Sequence, residues 1–259
     1  MASGDVAGLV RLDERGWRRG MTNLMRAGFG AWWRTSTWWV QALLWTAVIN
    51  GSLAVVIWGD APDDVSAFTL FGVMTMFAAI AVAIVMQEAI VGEKRSGTAA
   101  WVLSKPTSRT AFMLSKLVPN AVGALATMLV IPSAATLLHL AVAGVEVSPL
   151  RFALGVTVAA LNLLFYLTLT LMLGTLFNGA GPVIAVPLAF AFGQQLLGPA
   201  VTAYLPWSLV VPVGGAESSV IGAIIGGEPV ETSAAIVVTA VACVVFTVVA
   251  FWRWARTEL

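Results

Sequence analysis

The sequence predicts an all-α integral membrane protein, a bundle of six transmembrane helices, and three observations carry that fold class. The chain has 259 residues, 59% hydrophobic and 10% charged, with a mean hydropathy of +0.91, whereas a soluble domain carries roughly 25% charged residues. Six apolar stretches are each long enough to cross a hydrocarbon layer of ~30 Å as a helix. The basic residues, finally, gather in the segments that would lie on one side of such a bundle. Disorder, collagen, a coiled coil and an ordinary soluble enzyme are excluded by composition. Helices are the default because the backbone in lipid must satisfy its own hydrogen bonds, and the strict alternation of a membrane barrel is absent.

The spans are placed at Trp38–Trp58, Ala67–Met86, Val118–Ala143, Leu150–Phe177, Pro182–Val201 and Ala234–Trp252. The third and fourth exceed the minimum length, which predicts tilt. One transmembrane domain covers 1–259: an amphipathic interfacial helix over 10–37, the bundle over 38–252 and a tail over 253–259. Met1–Arg11 lacks the apolar core of a cleavable signal. A single cysteine, Cys243, excludes a disulfide framework and a multi-cysteine metal site, and a single histidine, His139, excludes any site needing two. The net charge of +1 gives no global field for nucleic acid. No nucleic-acid partner, catalytic residue, metal or cofactor is expected on this chain.

Orientation follows from the basic residues. Arg11, Arg15, Arg18, Arg19, Arg26 and Arg34 precede the first span; Lys94, Arg95, Lys105, Arg109 and Lys116 lie between the second and third; Arg253 and Arg256 end the chain. Only Arg151 falls on the other side, where Asp60, Asp63, Asp64, Glu146, Glu217, Glu228 and Glu231 lie. The prediction is a multi-pass protein of the plasma (inner) membrane of a prokaryote, with both termini cytoplasmic.

Residues 10–33 are too charged to span. At about 100° per residue Val10, Trp17, Met21, Leu24, Met25 and Trp32 share one arc, with arginines over much of the rest and Phe29 out of place. Such a helix lies in the headgroup plane, facing anionic lipid with its arginines. It serves either as a topology determinant alone or as an elbow turning into the first span, where Trp32, Trp33, Trp38 and Trp39 fit an aromatic belt.

The connection over 87–117 is longer than a crossing requires. Ser96 can cap a short helix running to Leu103, which Pro106 stops; a second helix resumes after Thr107-Ser108-Arg109 and enters the third span. The exposed run Trp101-Val102-Leu103 has no use in a solvated connector.

At this point the chain resembles the membrane-spanning subunits of type-2 ABC transporters, mostly exporters. The family pattern after the second span is a Glu, then Gly-Thr, a Leu, Pro-x-Ser-Arg and a Lys opening the third span. Here these are Glu93, Gly97-Thr98, Leu103, Pro106-Thr107-Ser108-Arg109 and Lys116, with Ser115 where Gly is usual. Joined to six spans, cytoplasmic termini and the N-terminal elbow, the resemblance covers the whole chain. It implies a coupling helix at about Ser96–Leu103 seated in a groove of a separate ATPase subunit. Glu93, Lys94 and Arg95 would supply polar contacts, Trp101, Val102 and Leu103 apolar ones, and Ser96, Gly97, Thr98 and Arg109 belong to the same interface. The chain has no Gly-x-x-x-x-Gly-Lys-Ser/Thr loop, so ATP and magnesium are expected on the ATPase partner. Six spans are half of an exporter, which implies a second permease copy or a related permease, as homodimer or heterodimer.

Between the last two spans, Leu205–Val213 and Val220–Ile225 are too short to cross and are broken by Pro206, Pro212, Gly214-Gly215 and Gly226-Gly227. They read as an external re-entrant hairpin, either a gate at the outer end of the path or simple packing. Within the spans Asn50, Asn162, Tyr166, Thr168, Thr170, Gln194 and Gln195 are polar. They form interhelical hydrogen bonds or, for Asn50, Asn162, Tyr166, Gln194 and Gln195, face a translocation path. His139 reads as an interface residue rather than a proton relay.

The function predicted is ATP-driven export of a lipophilic or amphipathic substrate (a drug, lipid or peptide), membrane lipid being the other partner. A secondary, ion-gradient-driven transporter is the alternative, disfavoured because such proteins place carboxylates at the midplane and these spans hold none. An intramembrane protease lacks its motifs here.

Overall fold

The computed structural model describes residues 14–59, 67–231 and 233–257. Val10 and Arg11 of the predicted surface helix, and Asp60, Asp63 and Asp64 of the first outer loop, lie outside them. Helix is the only regular structure among the described residues, with no strand, and six of their helices are long and apolar enough to span. In chain order these and the shorter helices are α1 (Met21–Trp33), α2 (Thr37–Trp58), α3 (Ala67–Arg95), α4 (Thr98–Leu103), α5 (Arg109–Val142), α6 (Pro149–Leu176), α7 (Ala180–Leu197), α8 (Val220–Gly226) and α9 (Ala234–Ala255).

The bundle is built around α6. In its most apolar window 67% of the residues are buried, against 17% for α9. α3 and α9 pack along α6, and α2 packs on the second half of α5. Phe165 of α6 anchors the middle, its ring 5.3–5.5 Å from those of Tyr166, Phe190 and Phe246. Small residues let the short helix α8 come in. A Cβ at Gly155 of α6 would lie 2.5 Å from Ile225 Cγ1 of α8, so the absent side chain sets that approach. Val220, Ile221, Ala223 and Ile225 are accordingly buried, although α8 is too short to span.

Two helices run farther than hydropathy predicts. α3 continues past Met86 through a π turn at Glu88–Gly92 to Arg95, because charge ends an apolar run without ending a helix. α5 starts at Arg109, well before the apolar run at Val118 and within a residue of where the Thr107-Ser108-Arg109 stretch predicts that the helix resumes. Inside α5 a second π segment, Leu125–Val130, sits just ahead of Pro132. Pro132 cannot donate to the carbonyl four residues back, and the wider turn absorbs that loss.

The surface helix is broken rather than continuous. A single turn at Gly16–Arg18 is followed by Gly20 in the left-handed region, and α1 begins at Met21. The exposed Glu14 carboxylate accepts from Thr22 N and Oγ1, and these bonds hold its pKa below the ordinary glutamate value. α1 packs on the first half of α5. Trp32, placed by periodicity at the acyl boundary, is instead buried over Gly123 and donates from Nε1 to Asn120 Oδ1 at 3.0 Å.

Candidate functional site

The loop between α3 and α5 lies on the basic face, packed on the bundle by one side of α4. Its fold begins with Gly97, whose φ of +74° reverses the chain between Arg95 and α4 with open space around it; a residue with a Cβ is disfavoured there. Ser96 does not cap α4, contrary to the prediction. It ends the preceding helix, its Oγ donating to Glu93 O at 3.3 Å and bonding with Thr98 Oγ1 at 2.9 Å. Gly97 holds the cap position of α4 instead. Ala99 is fully buried, and Val102 and Leu103 are half-buried against the core. Trp101 is 61% exposed. Its ring lies under the Lys105 ammonium, 3.5 Å from Nζ to the centroid, a cation–π contact that keeps the indole presented.

The charged residues assigned by sequence to a partner divide into two groups. Lys94 turns inward, donating to the carbonyls of Gly174 at 3.1 Å and Phe177 at 3.0 Å, the last turn of α6. Glu93 pairs with Lys116 of α5. Arg109 reaches across to α9, where one guanidinium nitrogen donates to Trp254 O at 3.0 Å, Ala255 O at 3.1 Å and Thr257 O. A cation on the unsatisfied carbonyls of a helix end answers both their hydrogen bonding and the dipole. Beneath Arg109, Phe112 stacks on Trp254 at 5.1 Å. Arg95, Ser96, Gly97, Thr98 and Trp101 are the residues of the group left exposed on the loop.

The segment Pro106-Thr107-Ser108-Arg109 is a junction. Ser108 caps α5 by accepting from Ala111 N at 2.9 Å, donates from its own backbone N to Arg19 O at 3.0 Å, and donates from Oγ to Trp17 O. Four consecutive residues therefore stop α4, start α5, tie down the N-terminal turn and close the end of α9. Nothing in sequence spacing marks the Arg109 and Lys94 bonds, because their acceptors are backbone carbonyls 80 to 148 positions away. The Ser108 cap was legible as a Ser opening a helix after Pro.

Of the polar span residues, Tyr166 and Gln194 are brought together. Gln194, buried, donates from Nε2 to the Tyr166 hydroxyl at 3.3 Å and accepts from Trp207 N at 3.1 Å. Asn162 lies one turn from Tyr166 on α6, buried, with neither amide atom bonded. Asn50 donates to Thr46 O at 3.1 Å and Pro132 O at 3.3 Å, joining α2 to α5. Gln195 is exposed beside Gly198 and Pro199. His139 packs against Trp58, the rings tilted by 38° with centroids 4.6 Å apart.

Six apolar helices, a charge-segregated surface and a buried, aromatic-centred bundle make this a multi-pass helical membrane protein. Residues 40–259 match the model of a family described as a protein of unknown function, DUF2705, and the chain belongs to that family. No curated protein matches the chain.

Proposed function

We propose that this chain is the membrane-spanning permease subunit of a type-2 ABC exporter, moving a lipophilic or amphipathic cargo with energy from a separate ATPase subunit that carries ATP and magnesium. The observation that carries the reading is α4, a short helix that packs Ala99, Val102 and Leu103 on the core, presents Trp101 outward, and is flanked by residues tied to four long helices. On this reading α4 is the coupling helix, with Trp101, Thr98, Ser96 and Arg95 against the ATPase. The basic face is cytoplasmic, in the plasma membrane of a prokaryote. α1 is the elbow at the membrane surface, and the segments around Trp207–Val210 and α8 form the re-entrant hairpin at the outer end of the path. A second copy, or a related permease, completes the pathway.

The braces supply the mechanics. A push on α4 reaches α3 directly, α6 through Lys94, α5 through Glu93 and Lys116, and α9 through Arg109. Closure of two ATPase subunits would thus move the inner ends of four spans as a unit. Coupling of this kind needs an element with two discrete arrangements, and the two π segments in α3 and α5 are candidates for where the helices yield.

Affinity purification of the chain from its native membranes should bring down a polypeptide that carries a Gly-x-x-x-x-Gly-Lys-Ser/Thr loop and hydrolyses ATP, while the isolated chain hydrolyses none. Trp101→Glu should abolish the association with the protein still inserted, because a carboxylate would be buried in an apolar groove. Retention of the ATPase by Trp101→Glu, or transport by the isolated chain driven by an ion gradient, would overturn the proposal.

A further inference from the structure

A cavity of about 620 Å³ opens on the basic face between the ends of α6 and α9. Lys94, Arg95, Arg253 and Arg256 converge on it, with Thr175 and Asn178 beside them, and no carboxylate lines it among the described residues. The helix ends that meet here are already answered. Lys94 is bonded to the last carbonyls of α6, and Arg109, outside the cavity, to those of α9. Arg95 and Arg253 have no carboxylate partner among the described residues, and the Arg256 guanidinium lies over the Trp252 ring at 4.3 Å. A bias toward basic residues on one side of a membrane accounts for the cations of this face. It does not account for four of them around one hollow, where each raises the cost of charging the others.

We propose that this cavity binds a phosphate-bearing anion, held by forked contacts from Arg253 and Arg256 with Arg95 closing the open side. Guanidinium groups match phosphate oxygens in pairs, and an anion here would relieve the mutual repulsion of the lining. The site stands at the level where the spanning helices end. Trp252 and Leu176 are exposed at that level, and below Arg256 the exposed Val245 and Val238 continue the same arc of α9 along the helix. An anionic phospholipid would therefore seat its headgroup in the cavity with its acyl chains along α9; free phosphate is the other source of the same chemistry. The inference does not depend on the export reading.

The test is a titration of the purified full-length chain in uncharged detergent with dioleoylphosphatidylglycerol, dioleoylphosphatidylcholine or inorganic phosphate. The readouts are the melting midpoint and, for the lipids, the bound molecules retained in native mass spectrometry. Phosphatidylglycerol should act at concentrations at least about tenfold below those of phosphatidylcholine, and Arg253→Gln/Arg256→Gln should remove that preference. Arg26→Gln/Arg34→Gln, which takes the same charge from the exposed side of α1 and its end, should keep it. A response to inorganic phosphate that the Arg253/Arg256 pair abolishes assigns the site to free phosphate; a response to phosphatidylglycerol alone assigns it to lipid. Should the double variant fail to fold by circular dichroism, Arg95→Gln is expected to weaken binding in the same direction. Binding unchanged by the cavity variants, or lost equally in the α1 pair, would overturn the proposal.

Discussion

Gln194 holds three segments together through one side chain and its own carbonyl. Its amide bonds the Tyr166 hydroxyl of α6 and the Trp207 N–H of the segment between α7 and α8, and its carbonyl oxygen accepts from Thr202 Oγ1 at 3.1 Å. Its neighbour Gln195 is exposed. Gln194→Leu leaves the Trp207 N–H without a partner, a loss of about 1–3 kcal/mol for a buried group. It should lower the melting temperature and speed proteolysis between residues 198 and 219. Gln195→Leu should stay within roughly 0.5 kcal/mol of the parent, and equal effects from the two would remove Gln194 from this role. The sequence shows two adjacent glutamines in an apolar run. Residues next to each other on a helix are about 100° apart, so one of them must turn away from the core, but only the position of α6 decides which. A second contact of this scale is Gly123 under Trp32. Gly123→Val forces the indole off its seat, an overpacking cost of about 1–3 kcal/mol, and should make Trp32 fluorescence accessible to a soluble quencher.

Elements end where cations close them. Lys94→Met should fray the last turn of α6 and Arg109→Met the last turn of α9, each at about 1 kcal/mol for a partly exposed cation on a helix end. Hydrogen exchange read peptide by peptide separates the two. Protection should fall at residues 172–177 for the first variant and 250–257 for the second, and loss of protection spread evenly over the bundle would argue against local capping. The elements themselves were legible in unequal measure. Hydropathy finds the middle of a span well, since burial in lipid demands an apolar run, and all six were predicted close to where they lie. It fails at ends such as Arg95, where the helix continues past the apolar run, and at Arg109, where the Pro-Thr-Ser-Arg stretch rather than hydropathy marks the start. The N-terminal helix went wrong for a different reason: periodicity reads the apolar arc of Trp17, Leu24 and Trp32 as one surface, whereas Gly20 breaks the helix and α5 takes Trp32 into the core. The motif residues Glu93, Gly97, Pro106, Ser108, Arg109 and Lys116 were all singled out by sequence. That four of them bind the loop to the bundle is a fact of tertiary structure, invisible in spacing.

At the scale of the whole molecule, charge segregation is the property that decides topology. Thirteen of the fourteen basic residues lie in segments that the six spans place together, while Glu217 and Glu228 flank α8 at the opposite ends of the spans. Ser218 donates to Glu228 at 2.6 Å, drawing the two ends of that segment close. Glu217 and Glu228 therefore share a face, and Lys105 lies on the other. Single cysteines at these positions, in a Cys243→Ser background, test the arrangement in intact cells with an impermeant thiol reagent. Glu217→Cys and Glu228→Cys should label without permeabilisation, and Lys105→Cys only after it, since the positive-inside rule puts the basic loops in the cytoplasm. The physical alternative is that the segment between α7 and α9 crosses twice, which would put Glu217 inside. It would require spans from runs of about nine and six residues, where about twenty are needed. Labelling of Glu228→Cys with protection of Glu217→Cys would overturn the six-span arrangement, and labelling of Lys105→Cys alone would invert the whole molecule in the membrane.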